Sequence, residues 1–217
     1  MPLVLMGASN KSEELEKIAE EISVCVECPL AKTRTKTVPG SGSAEAEVMF
    51  VGEAPGFNED QQGIPFCGAA GKFLDEMLSG IGYTRDQVFI ANTLKCRPPE
   101  NRDPEDSEKD ACKAYLERQI EIINPKLIVC LGRHSVATFL PGAGGISKLH
   151  GKAVKRPNGR VYLALYHPAA ALHNGGLRST LIEDFNKIPA ILAKIDETPK
   201  GEEKFEEKEE AKQQKLI

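Results

Sequence analysis

Four short apolar runs constrain the fold of this chain more than anything else in it: "VMFV" at 48–51, "VFIA" at 88–91, "LIVCL" at 127–131 and "VYLAL" at 161–165. Each has the length of a strand and no polar alternation, the pattern of a strand covered on both faces. Helical patterns separate them. Residues 72–78 and 133–140 follow the first and third runs. Residues 104–123 carry an apolar stripe through Cys112, Leu116, Ile120 and Ile123, with Asp103 as N-cap and Pro104 at the first position. A helix over 177–195 closes the series. Another over 11–24 opens it, with Leu15, Ile18 and Ile22 on one face and Ser12 as N-cap. Strands alternating with helices predict an α/β fold with a mostly parallel sheet, because the crossover connections carry helices onto both faces.

A chain of 217 residues that is 41% hydrophobic fills one well-buried domain, expected over 1–195. Residues 196–217, "DETPKGEEKFEEKEEAKQQKLI", hold eight acidic and five basic side chains with little apolar periodicity, and are expected to form a charged, disordered tail. That tail accounts for −3 of the net charge of −4, so the body is close to neutral and a polyanionic partner stays open to it. No apolar run approaches the roughly 20 residues of a membrane span. Residues 1–9 lack the basic start and apolar stretch of a signal peptide. A soluble, cytoplasmic protein with no targeting signal and no membrane partner is expected.

Six cysteines in a chain without secretory features point away from disulfides. Cys25 and Cys28 have two residues between them, so a turn can aim both thiolates at one ion; Cys96 and Cys112 follow 67 residues later, with 15 between them. Such a set suits an iron-sulfur cluster or a zinc ion, and spacing alone does not separate the two, nor either of them from Cys96 and Cys112 as small buried residues. Cys130 reads as strand core and Cys67 as a small loop residue.

Ligands bind beyond the carboxyl ends of the strands in such sheets. That rule picks out "GEAPG" at 52–56, "NTLKC" at 92–96, "GRHS" at 132–135 and "YHPAAALHN" at 166–174. The first belongs to a glycine-rich loop, "GEAPGFNEDQQGIPFCGAAG" at 52–71, which is no phosphate loop: Gly-Lys-Ser/Thr does not follow, Lys72 comes too late, and Glu53, Glu59 and Asp60 stand in it instead. Gly52 and Gly56 permit close backbone approach, and Phe66, held by Pro65 in an extended segment, offers a ring to a flat heteroaromatic ligand. Asn92 adds a carboxamide that can donate to and accept from a pyrimidine edge at once. His167, set before Pro168, can point its imidazole over the strand ends. Singly, a turn-forming asparagine, a structural histidine and solvated carboxylates such as Glu59 and Asp60 are ordinary; converging on one sheet edge, the ring, the amide and the imidazole define a candidate site.

The segments "GEAPGFNEDQQGIPFCGAAGK", "NTLKCRPPENRDP", "LIVCLGRHS" and "YHPAAALHN", with the four spaced cysteines, resemble the family 4 uracil-DNA glycosylases, the thermostable iron-sulfur branch of their superfamily, in order and with matching gaps over residues 13–195. The resemblance implies a three-layer α/β/α sandwich around a central four-stranded parallel sheet. It implies a DNA repair hydrolase that flips deoxyuridine out of single- or double-stranded DNA, hydrolyses the N-glycosidic bond and leaves an abasic site, opening base excision repair. It also implies that Cys25, Cys28, Cys96 and Cys112 hold a 4Fe-4S cluster tying the N-terminal segment to the loop before the long helix. Glu53, Ala54, Phe66, Asn92 and His167 then form the substrate site: Phe66 stacks on uracil, Asn92 reads its polar edge, Glu53 excludes the methyl of thymine, and His167 stabilises negative charge at uracil O2.

The best-known family of this superfamily has an aspartate at the third position of the first motif. Here that position is Ala54, so water activation falls to Glu53, to Glu59 or to backbone positioning. Lys95, Arg97, Arg102, Lys148 and Lys152 are candidates for gripping DNA, and Leu172 for an apolar wedge filling the vacated stack. His150, in "SKLHGKAVKRPNG", keeps a second reading open, a protein that traps uracil-DNA covalently through a histidine; an iron-sulfur redox protein is a third. The protein is expected to be a nucleoid-associated monomer. Its last residues, "QQKLI", lack the aromatic pair of a sliding-clamp motif, so the signal for clamp binding is weak.

Overall fold

The computed structural model describes residues 7–197. Almost all of the tail expected to be disordered therefore lies outside the described residues. Strands β1 (Ser41–Gly42), β2 (Val48–Gly52), β3 (Phe89–Asn92), β4 (Leu127–Leu131), β5 (Ala153–Lys155) and β6 (Val161–Leu165) form one sheet in the order β1-β3-β2-β4-β6-β5. The four apolar runs are its parallel centre, with β2 paired to both β3 and β4, and β4 to β6. Two short antiparallel edge strands widen it to six. They carry no apolar run, because an edge strand is not covered on both faces and Ala153 and Lys155 are exposed.

Alternation along the central strands builds two cores. Val48, Phe50, Leu127, Val129, Leu131, Leu163 and Leu165 face one side, against α3 (Ala69–Gly80), α8 (Gly175–Phe185) and α9 (Ile188–Glu197). Met49, Val51, Ile128, Cys130, Tyr162 and Ala164 face the other, against α4 (Asp106–Ile123) and α5 (Arg133–Phe139). The result is a helix-sheet-helix sandwich, with Cys130 a core residue as expected. The long N-terminal helix α1 (Gly7–Val24) docks on α4, where the Arg118 guanidinium pairs with both oxygens of Glu21. The described residues also include three short α-helices: α2 (Phe57–Gln62), α6 (Ile146–Leu149) and α7 (Pro168–His173).

Helix boundaries depart from the sequence reading for local reasons. Helix α1 begins at Gly7, ahead of Ser12, which is therefore inside it. Helix α4 begins at Asp106 with Glu105 as N-cap, because Glu108 reaches back to the Glu105 N–H at 2.9 Å; Asp103 and Pro104 lie outside the helix. The helix expected over 177–195 is two helices, since Pro189 has no N–H to continue α8 and sits in the first turn of α9. Asn174 caps α8, its Oδ1 accepting from the Gly176 N–H at 3.1 Å.

Candidate active site

The parallel strand ends are clipped together before any side chain is placed. The Gly52 carbonyl accepts from the Thr93 N–H at 3.0 Å, and the Glu53 carbonyl accepts from the Leu94 N–H at 3.0 Å and the Thr93 hydroxyl at 2.5 Å. Over this edge lies a cavity of about 320 Å³, whose walls include Glu53, Ala54, Phe66, Asn92 and His167. The sequence-predicted substrate residues thus meet in one place. The volume suits a small heterocycle with part of its sugar.

Glycine at 52 is a requirement of that meeting: a Cβ there would overlap Asn92 Oδ1 and press on the Phe66 ring. Asn92 is buried, and its Oδ1 has no hydrogen-bond partner among the described residues. An orphaned buried acceptor costs about 1–3 kcal/mol, which a ligand N–H can recover.

Phe66 differs from its expected extended conformation. Its φ is +52°, in the left-handed region, which is uncommon for a side chain of that bulk. Arg85 holds it there, donating to the Phe66 carbonyl and, at 2.9 Å, to the Pro65 carbonyl, while its Nε pairs with Asp75 at 2.5 Å. Gly71 makes room, since a Cβ there would overlap the Phe66 carbonyl. The Phe66 ring lies 5.4 Å from the His167 ring, at 27°.

His167 is the N-cap of α7, its Nδ1 accepting from the Ala169 N–H at 3.1 Å. Burial pushes its pKa down to about 4, with the Glu59 carboxylate opposing weakly. The ring is therefore neutral and carries its proton on Nε2, free to donate.

The two candidate carboxylates differ in what they already hold. Glu59 accepts from the N–H groups of Gly56 at 3.1 Å, Cys67 at 3.1 Å and Gly68 at 3.2 Å, so it braces the loop that carries Phe66. Asp60 is not a solvated loop residue: it is 2% exposed and accepts from the Thr35 N–H at 2.9 Å. Glu53 takes no such backbone bonds. It is half-buried, and its carboxyl is pushed above the usual range, chiefly by burial and further by Asp103, against the pull of His134 and Arg133.

Those last neighbours were missed by sequence reasoning. Arg133 forks Asp103 at 2.6 and 2.9 Å and donates through Nε to His134 Nε2 at 2.9 Å; His134 Nε2 stands 3.3 Å from Asp103 and 3.6 Å from Glu53. The strand-end rule had picked out "GRHS", but nothing in its sequence shows that Asp103, thirty residues earlier, folds over it. Glu53, Asp103 and His134 are close enough to share a cation, yet the Arg133 guanidinium already supplies the positive charge.

The DNA-gripping candidates divide. Lys95 is fully buried and cannot touch DNA: its Nζ donates to the Pro39 carbonyl, the Asn92 carbonyl and Gln119 Oε1 at 3.1, 3.1 and 2.7 Å, and burial lowers its pKa to about 7. It props the strand end that bears Asn92. Arg102 is exposed but spends its fork on Glu108 at 2.6 and 2.9 Å. Arg97 lies beside the cavity; Lys148 and Lys152 are exposed near the last crossover. Leu172 is 44% exposed on α7, the helix that His167 caps. His150 is tied through Nδ1 to the buried Asp184 at 2.6 Å and leans on Tyr166.

The four spaced cysteines also converge. Leu30, Leu94, Cys96 and Cys112 form a small buried group with Cys28 and Ala54 packed on it, and the sulfurs of Cys25 and Cys28 act on that of Cys96. Arg34 donates to Cys96 Sγ at 3.4 Å and to the Cys25 carbonyl at 2.7 Å. Burial pushes the Cys112 thiol up to about 11, so a thiolate there needs the positive charge that a metal supplies. The donor set fits a metal centre. Cys67 stands apart, its backbone N–H bound to Glu59.

A pocket over the carboxyl ends of a parallel sheet, walled by ring, amide and imidazole, defines an enzyme that handles a planar base. The family model described as the uracil DNA glycosylase superfamily matches residues 39–188, spanning the central sheet and the whole cavity, and the chain belongs to that superfamily. Its relatives include type-4 uracil-DNA glycosylases. One from Sulfurisphaera tokodaii is 53% identical over 184 residues, covering 81% of this chain and 84% of the relative. One from Archaeoglobus fulgidus is 45% identical over 197 residues, covering 86% and 97%, and one from Saccharolobus solfataricus is 45% identical over 192 residues, covering 83% and 88%.

Proposed function

We propose that this protein removes uracil from DNA by hydrolysing the N-glycosidic bond of a flipped deoxyuridine, the opening reaction of base excision repair. The observation that carries the reading is Asn92, a buried acceptor without a partner among the described residues, in a cavity walled by Phe66 and His167. Uracil offers N3–H to Asn92 Oδ1 and O4 to its NH₂. Cytosine reverses both roles and leaves buried groups facing like groups, a loss of about 1–3 kcal/mol for each. The methyl of thymine would meet the wall that includes Glu53.

Bond breaking leaves positive charge on the sugar and negative charge on uracil. His167, held neutral, donates Nε2–H to uracil O2 as that charge develops, a fixed dipole acting where water is excluded. Water then attacks C1′ of the sugar cation; its oxygen bonds to carbon and its proton passes to Glu53, the carboxylate at the cavity not committed to loop backbone. Arg97 and the exposed Lys148 and Lys152 supply charge for the DNA backbone, and Leu172 fills the gap in the stack.

Cys25, Cys28, Cys96 and Cys112 would hold a 4Fe-4S cluster, whose chemistry here is to cross-link the N-terminal segment to the site-bearing loop. The resemblance to the family 4 uracil-DNA glycosylases supports this over zinc. The test is iron and sulfide content after anaerobic purification, where zinc alone would overturn the assignment. For the reaction, the test is uracil release from single-stranded and G·U duplex oligonucleotides by wild type, Asn92→Ala and His167→Ala. Unchanged rates in both variants would remove this site from the chemistry.

A further inference from the structure

Phe57 is 57% exposed, a large aromatic residue left open at the edge of the cavity. It follows Gly56, which lines one wall; Arg97 precedes Pro98, which lines another. The two meet across the rim: the Arg97 guanidinium carbon lies 5.2 Å from the centroid of the Phe57 ring. Arg97 is itself aimed, because its Nε donates at 2.7 Å to Oδ1 of Asn101, a further cavity residue with φ at +56°. Neither residue has a part in reading uracil or in bond cleavage.

A solvent-facing phenyl ring under an arginine is a weak contributor to stability. The same pair is a strong offer to a nucleic acid, since every base has a π-face for the ring and every nucleotide a phosphate for the guanidinium. When one nucleotide is drawn into the cavity its neighbour loses a stacking partner directly above the rim. We propose that Phe57 and Arg97 form a stacking subsite for the nucleobase adjoining the flipped nucleotide. This rests on the cavity receiving a flipped base. The subsite takes any base, because ring faces and phosphates carry no sequence, and it matters most in single strands, where no partner strand holds the neighbour in place.

The experiment compares wild type with Phe57→Ala and Phe57→Trp on single-stranded oligonucleotides bearing one uracil. The uracil has normal neighbours, or a tetrahydrofuran spacer replaces the base on its 5′ side or on its 3′ side. With normal neighbours Phe57→Ala raises KM about five-fold or more, the low end of what one stacked base contributes, and Phe57→Trp does not. With the spacer on one side the alanine variant and wild type become equal; that side identifies the stacked neighbour. An equal loss on all three substrates, or no loss on any, overturns the subsite. Asn92→Ala run in parallel separates the two ideas: if wild type releases uracil and Asn92→Ala does not, a null result at Phe57 sinks only the subsite, whereas no release by wild type sinks both. Unchanged melting temperatures for the Phe57 variants exclude a folding defect.

Discussion

At the scale of single residues the site is set by how burial divides its titratable groups. His167 is kept neutral, its pKa lowered to about 4, and Glu53 is moved the other way, above the usual carboxyl value of 4.5. Ionised Glu53 accumulates as pH rises through that raised value, and His167 is neutral above its own lowered one. The excision rate is therefore expected to rise with pH along an acid limb whose midpoint lies above 4.5, and Glu53→Gln to flatten the limb and slow the reaction by about 10²- to 10⁴-fold. Single-turnover rates between pH 4 and 8 check this; a limb that survives in Glu53→Gln would assign it to another group. For stability the sign is also fixed. A histidine whose folded pKa lies below its unfolded 6.5 stabilises the fold above that pH, and the contribution is lost as pH falls toward 4. Asn92 makes a second prediction. Its orphaned acceptor burdens the free protein, so Asn92→Ala is expected to leave the melting temperature unchanged or raise it while lowering excision by about 10²-fold or more. A fall in melting temperature of several degrees would show Asn92 to be structural.

At the scale of elements the precision comes from segments that sequence periodicity does not describe. Strands 127–131 and 161–165 are legible to the residue, because a strand buried on both faces must be apolar throughout. Phe66, Asn92 and His167 are legible because each lies near a strand end or in a loop that follows one. What holds them is not. The left-handed Phe66 depends on Arg85 and Asp75, which belong to a different turn and a different helix, and Lys95, beside a cysteine in sequence, is buried under Asn92 instead of facing DNA. Long-range hydrogen bonds of this sort leave no local pattern. Arg85→Ala is expected to lower excision by about 10- to 100-fold by letting the ring leave its position. In a Phe66→Ala background the same change should add little, since the groups act as one unit. Additive losses would mean that Arg85 serves the fold generally.

At the scale of the whole molecule, the cysteine centre and the base pocket share a wall. Ala54 lines the cavity on one side and packs on the group of Leu30, Leu94, Cys96 and Cys112 on the other. The Lys95 backbone favours the Cys112 thiolate while its ammonium supports the Asn92 carbonyl. Helix α1 reaches the body through α4 and through the segment that carries Cys25 and Cys28. A metal at this point adds to the small apolar group, the Arg34 and Lys95 hydrogen bonds and the Arg118–Glu21 pair that already join these sequence-distant parts, and its binding energy is folding energy for those parts. Removing the iron of the proposed cluster with a chelator is therefore expected to act regionally. Amide exchange should quicken in residues 25–38 and 94–97, while β2, β4 and β6, each buried on both faces, keep their protection. Uracil release should fall with the loosening of 94–97, because those residues continue the strand end that positions Asn92. Exchange that quickens evenly throughout the chain would make the metal a general determinant of stability, and exchange that quickens nowhere would separate the cysteines from the site altogether.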